Sequence, residues 1–352
     1  MNLAIKECEE LLADAPEVYN SKSFAKWKKM DNKGLQYFVK HHYKTFKRRL
    51  SRGTPQKYRW LIWTIFLDII PNDGIYNEFI YVSISSAKFY IDMFTTSKIG
   101  KPLSQCNQWY KDYYEYAAGV PNKYSPLISI DVPRTFPELN IFKDHEPQEC
   151  LFRVLNAVAN HIPDVGYCQG MNFVAAVLLI TSNFDEQGSF FVLIIILEKY
   201  GLSGFYREKF PLLNKYIKVF NNLFALNIPK LWRHFQKEGI IDAIYLHPWF
   251  LTLFVSALPL KTVVILWDYI IAHGIHSLLS IAIALLKAIE SALIDQSMEN
   301  IIQFFKSLRI SVGFDDITCG KILLYHAQKI HLSDEIKSEI NYNHNIQIDP
   351  IE

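Results

Sequence analysis

Residues 144–162 read DHEPQECLFRVLNAVANHI. Leu151, Val154, Leu155, Val158 and Ile162 fall at i, i+3, i+4, i+7 and i+11, which puts them on one face of a helix of 3.6 residues per turn. Asp144 and Pro147 suit its start. The pattern returns in Val263, Val264, Leu266, Trp267, Ile270 and Ile271, with Gly274 as a C-terminal stop. It returns again in Ile281, Leu285, Ala288, Ile289 and Ala292. No succession of alternating strands with hairpin turns and no repeat at a fixed period competes with it. The chain therefore reads as all-α.

Breakers punctuate the pattern at Gly53-Thr54-Pro55, Pro71-Asn72-Asp73-Gly74, Gly100-Lys101-Pro102, Gly119–Pro126, Pro133–Pro137 and Pro163–Gly170. They suggest a basic helical N-terminal extension over 1–48, a helical domain over 49–310, and C-terminal helices with a polar tail over 311–352. A helical body of that length must bury helices on more than one side, so two packed lobes are expected.

Hydrophobic residues make up 50% of the 352 and charged residues 20%. That composition supports a large core and excludes wholesale disorder. The net charge of +2 hides an asymmetry: between Lys22 and Arg59, 13 Lys/Arg face one acid, Asp31. Such a segment fits an acidic partner, an anionic membrane leaflet or nucleic acid, or is simply a solvated helix face. The five cysteines are scattered without a CxxC, so a reducing compartment is the default. The N-terminus places acids where a signal peptide needs an apolar run. The apolar stretches Phe173–Thr181 and Phe190–Leu197 are too short to span a bilayer, and Ile275–Ile294 is interrupted by charge.

No phosphate-binding P-loop, HEXXH, GxSxG, HRD or DFG sequence occurs, so the chain does not read as an enzyme with a small substrate of its own. His273 and His276 form a pair without the further ligands a metal needs. Two polar islands remain. In Ile128-Ser-Ile-Asp131-Val-Pro133-Arg134-Thr135-Phe-Pro137, prolines on both sides of Arg134 predict a stiff non-helical loop. In Gly166-Tyr167-Cys168-Gln169-Gly170-Met171-Asn172, two glycines place Gln169 on a tight turn before an apolar helix. Phosphoryl transfer to water needs charge stabilisation and an oriented water, which an arginine and a glutamine can supply. The same residues also admit a plain reading, with Arg134 paired to Asp131 and Gln169 closing a turn.

The motifs are specific enough to name a likeness. Ile128-x-x-Asp131-x-x-Arg134, followed by Thr135 and Pro137, resembles the IxxDxxR arginine-finger motif of TBC domain proteins, which are GTPase-activating proteins for Rab-type GTPases. Tyr167-x-Gln169 resembles their YxQ glutamine-finger motif. Arg52 through Arg59 and Trp63 is similar to the family's opening block. Trp249-Phe250, Leu258-Pro259 and Trp267-Asp268 are similar to its late block. The resemblance covers roughly residues 49–310.

It implies a V-shaped, two-lobed all-α fold that docks on a GTP-bound Rab. Arg134 would neutralise charge on the phosphates and Gln169 would orient the attacking water. Asp131 would position Arg134 or its loop, and Tyr167 would brace the glutamine turn. Asn172 would cap the following helix, and Arg59 and Trp63 would be structural. Nucleotide and Mg2+ would belong to the partner, leaving this chain no cofactor of its own and no activity without its partner. No nucleic-acid partner is expected. The expected location is cytoplasmic, with the basic segment available for a peripheral endomembrane contact. A catalytically silent Rab-binding scaffold and a membrane adaptor are the alternative functions.

Overall fold

The computed structural model describes residues 1–67, 69–70, 75–76, 106–311, 313 and 315–340. The breakers at 71–74 and 100–102 and the polar tail from Asn341 lie outside them. Among the described residues the only strands are Ile69–Ile70 and Ile75–Tyr76, an antiparallel pair with Ile69 opposite Tyr76. The rest of the regular structure is helical.

The helix read from residues 144–162 spans His145–His161, with Asp144 as its N-cap residue. Its apolar stripe is fully buried: Leu151, Val154 and Val158 have no exposed surface. It forms the axis of a first group of helices, packing against Cys106–Gly119, Ser125–Asp131, Met171–Thr181 and Glu186–Ile194. The last of these runs on through a π-helical turn, Ile195–Lys199.

A second group is built around Leu260–His273, Ser277–Leu293 and Asp315–Ala327, which pack on one another, while Pro211–Asn227 packs on Ser277–Leu293. Gly274, at φ +88°, ends Leu260–His273 as its sequence suggests. The two groups meet where Met171–Thr181 touches Leu260–His273. The apolar stretches Phe173–Thr181 and Phe190–Leu197 lie in buried helices, whereas Ile275–Ile294 is mostly buried as far as Leu286 and then mostly surfaces, with Ala288 and Ala292 of its expected stripe exposed. Among the described residues no helix is long and apolar enough to cross a membrane.

Residues 1–48 join this core rather than standing off from it. Ala4, Cys8 and Leu12 of the first helix, Asn2–Leu12, are buried. That helix packs on both Met171–Thr181 and Leu260–His273. Trp27 and Phe46 meet edge to face with 5.7 Å between ring centroids. Burial of two such aromatic side chains stabilises by several kcal/mol, roughly 1.5–3 kcal/mol each.

Candidate functional site

The arginine segment is helical almost to its tip. The α-helix Ser125–Asp131 passes directly into a 3-10 turn, Val132–Arg134, so the expected stiff loop is corrected to a helix end. Pro133 is tolerated because it sits in the first residues of that turn, where its missing N–H costs nothing. Thr135 ends the turn, its N–H donating to the Val132 carbonyl at 3.1 Å. Phe136 then takes a left-handed φ of +52°, a conformation that costs a non-glycine residue roughly 1–3 kcal/mol.

The start of this helix is fixed from the central one. Asn156 Oδ1 accepts from Ser125 Oγ at 2.7 Å and from Asn122 Nδ2 at 2.9 Å. Asn156 Nδ2 donates to the carbonyls of Ala118 and Val120, and Asn160 Nδ2 to those of Ala117 and Val120. These two asparagines satisfy the end of helix Cys106–Gly119 and the entry to the arginine helix together. Sequence reasoning passed over them. Their signal was two amides at i and i+4 beside an apolar stripe.

Gln169 sits on a tight turn as expected. The Met171 N–H donates to the Cys168 carbonyl at 3.1 Å, closing the turn around Gln169 and Gly170. Gly170 has φ +111°, and a Cβ there would lie 3.1 Å from the Leu251 carbonyl oxygen. Gly166, at φ +63°, lies under the ring of Tyr124, which a Cβ would overlap at 1.9 Å. Both glycines are therefore required by close approach as well as by conformation. Burial pushes the Cys168 thiol up to about 11, so it is neutral at physiological pH.

Two side-chain hydrogen bonds join the segments. Tyr167 Oη donates to Asp131 Oδ2 at 2.9 Å, and Asn172 Nδ2 donates to Thr135 Oγ1 at 2.8 Å. Asp131 and Thr135 bracket Arg134, while Tyr167 and Asn172 bracket Gln169. Each candidate finger thus has a tie on either side, and all four tie residues are buried. Ile128, the first position of the arginine motif, is fully buried beneath them. Burial, then the Asp131 hydrogen bond and charge, drive the Tyr167 phenol well above its usual range. It therefore remains a donor.

Asp131 is engaged by Tyr167, which anchors the segment of Arg134, while one expected role is revised. Asn172 is not the cap of the following helix, since Gly170 occupies that position. Asn172 Oδ1 accepts instead from the Gly170 N–H at 3.0 Å.

Arg134 and Gln169 themselves are exposed. Leu127 and Ile130, 45% and 51% exposed, share the face of Arg134 at i, i+3 and i+7. That apolar pair beside a cation was missed in the sequence, although its spacing was visible there.

Arg59 and Trp63 belong elsewhere. Arg59 Nε lies 3.3 Å from Asp268 Oδ1, Trp63 Nε1 donates to that oxygen at 2.7 Å, and the Thr54 N–H donates to Oδ2 at 2.6 Å. Burial pushes Asp268 up to about 6 against the opposing pull of Arg59 and these donors. The opening and late blocks of the sequence meet in this buried pair, which is structural.

The Rab-GTPase-TBC domain family model matches residues 56–294, a span that contains both candidate segments and the four residues that tie them. This chain belongs to that family. Among similar proteins, TBC1 domain family member 12 of Xenopus tropicalis is 30% identical over 77% of this chain and 37% of its own length. TBC1 domain family member 14 of Homo sapiens is 36% identical over 52% of this chain and 26% of its own length. The chain spans little more than a third of these relatives' length at most. The TBC fold is shared with the crystal structure of the Chlamydomonas flagellar RabGAP TBC domain, at TM-score 0.66 and 20% identity over 93% of this chain and 94% of that one.

Proposed function

We propose that this TBC domain accelerates GTP hydrolysis by a Rab-family GTPase and so regulates vesicle trafficking. The carrying observation is the pair of cross-tied segments, each presenting one exposed polar side chain of the type the chemistry needs. The Rab brings GTP and its Mg2+. Arg134, a planar fork that stays charged, stabilises charge developing on the transferred phosphoryl group. Gln169 accepts from the attacking water and donates toward a phosphate oxygen. Asp131, Tyr167, Thr135 and Asn172 hold the two at fixed separation, and Leu127 and Ile130 contact the partner's protein surface. A panel of GTP-loaded Rab proteins, assayed for phosphate release with catalytic amounts of this chain, tests the reading. Arg134→Ala and Gln169→Ala should each lose most of an acceleration expected at roughly 10³–10⁵. Stoichiometric binding with no acceleration by the parent chain would establish the scaffold instead.

The basic segment adds a membrane contact to this role. Lys22, Lys26, Lys28, Lys29, Lys33 and Lys40 are all exposed, and Tyr37 and Tyr43 stand among them 51% and 47% exposed. Cations interleaved with amphipathic rings suit an anionic leaflet, at about 1 kcal/mol per basic residue near the surface. Co-sedimentation with phosphatidylserine vesicles should fall steeply between low and high salt. Equal retention on neutral vesicles would refute the contact.

A further inference from the structure

Beyond residue 294, where the family model ends, a side chain reaches back to both finger segments. Arg309 lies just after helix Met298–Ser307. Its guanidinium carbon is 5.4 Å from the ring centroid of Phe136 and 5.8 Å from that of Phe173. The same guanidinium is ion-paired with Glu138. Phe136 follows Arg134 by two residues, and Phe173 is on the first turn of the helix after Gln169. The two rings meet edge to face with centroids 5.5 Å apart and planes at 84°.

We propose that Arg309 is a positioning residue that clamps the arginine and glutamine segments together, in addition to their polar ties. The role rests on the GTPase-activating function proposed above. A delocalised planar cation can face two rings and still direct an N–H to a carboxylate, whereas an ammonium is a single point charge. Phe136 is the residue most in need of such support. Its backbone is in the left-handed region, and nothing local to a phenylalanine favours that conformation. The ring packs against Phe142, at 6.2 Å and nearly parallel, and against Phe173. Arg309 adds a cation within 5.4 Å of the ring centroid and the Glu138 pair two residues further along the chain. The C-terminal helices thereby set the separation of two groups that a single transition state must engage together. A cavity of about 600 Å³ borders this clamp, lined in part by Phe136, Glu138, Lys306 and Arg309. Water can therefore reach the ion pair, and its removal need not unfold the core.

The test uses the full chain with Arg309→Ala, Arg309→Lys and Glu138→Gln. Amide hydrogen exchange is read in segments 132–136 and 166–173, with helix Leu260–His273 as the internal control. Arg309→Ala should raise exchange in both finger segments at least threefold while the control stays unchanged. With an accelerated Rab, its kcat should fall about tenfold or more with KM within twofold. Arg309→Lys and Glu138→Gln should fall between Arg309→Ala and the parent chain. A purely structural role would lower the melting temperature but leave kcat at saturating Rab unchanged well below it. Unchanged exchange in the two segments, or a kcat within twofold of the parent, overturns the proposal. If the parent chain accelerates no Rab, the GTPase-activating reading fails, and the exchange result alone decides whether the clamp exists.

Discussion

Tyr167→Phe removes one oxygen atom and tests the tie between the two finger segments. Tyr167 and Asp131 are each only 5% exposed, so water cannot readily replace the lost donor. A buried hydrogen bond to a charged acceptor contributes roughly 1.5–3 kcal/mol. At ~2.1 cal/mol/K per residue, a chain of 352 residues loses roughly 1.4 °C of melting temperature per kcal/mol. The expected drop is therefore about 2–4 °C. The catalytic effect should be larger in proportion, because misplacing a reacting group by about 1 Å costs on the order of 10²-fold in rate. The tie also holds only one side of each finger, so with Asn172–Thr135 intact a fall of roughly tenfold in kcat is expected, with KM little changed. A double-mutant cycle with Asp131→Asn, read by thermal unfolding and by Rab GTP turnover, isolates the pair. Coupling should be about 1–2 kcal/mol. Coupling below about 0.5 kcal/mol, together with an undiminished kcat, would refute the claim that this bond sets the finger geometry.

Further outcomes follow from other parts of the molecule. Ile130→Asp places a charge on the exposed apolar pair beside Arg134 and should raise KM for the Rab by roughly tenfold, about 1.4 kcal/mol, with the melting temperature unchanged; a surface-binding assay with GTP-loaded Rab checks it. Gly166→Ala forces a Cβ into the Tyr124 ring at a positive φ. It should cost about 2 kcal/mol or more, seen as a lower unfolding midpoint in urea. Asp268→Asn leaves Arg59 buried without its counter-charge and should destabilise by roughly 3–5 kcal/mol without altering kcat in molecules that remain folded. Burial, helped by Lys47 and other nearby cations, pushes His273 and His276 each down to about 4. Between about pH 6.5 and 4 the unfolded chain therefore binds protons that the folded chain refuses, and stability falls as pH drops. Both rings are half-buried, so solvent screening limits the joint effect to on the order of 1–3 kcal/mol. Asp268 acts in the opposite sense, losing stability as pH rises toward its value of about 6. The check is accordingly the difference in unfolding free energy between the parent chain and a His273→Gln/His276→Gln variant across that range.

The apolar stripe of residues 144–162, the glycine stop at Gly274 and the tight turn at Gln169 were legible in the chain alone. Each depends on interactions among neighbours three or four residues apart, which any sequence displays. The likeness of the arginine and glutamine segments to the family's motifs was legible as well, since motif spacing survives without coordinates. The hydrogen-bond partners were not. Asp131 had a nearby arginine as its obvious partner, yet it bonds Tyr167, 36 residues along the chain. Asn172 looked like a helix cap and instead spans to Thr135. The helical course of Val132–Arg134 was obscured because two prolines argue against a long helix, while a single 3-10 turn needs only one residue that can do without its N–H. Asn156 and Asn160 stood out only as two amides at i and i+4, with no sign of what they bond, and Arg309 gave no local sign of its task. Their partners are brought within reach by helix packing, and a directional bond between residues distant in sequence exists only once the chain's topology has chosen which surfaces meet.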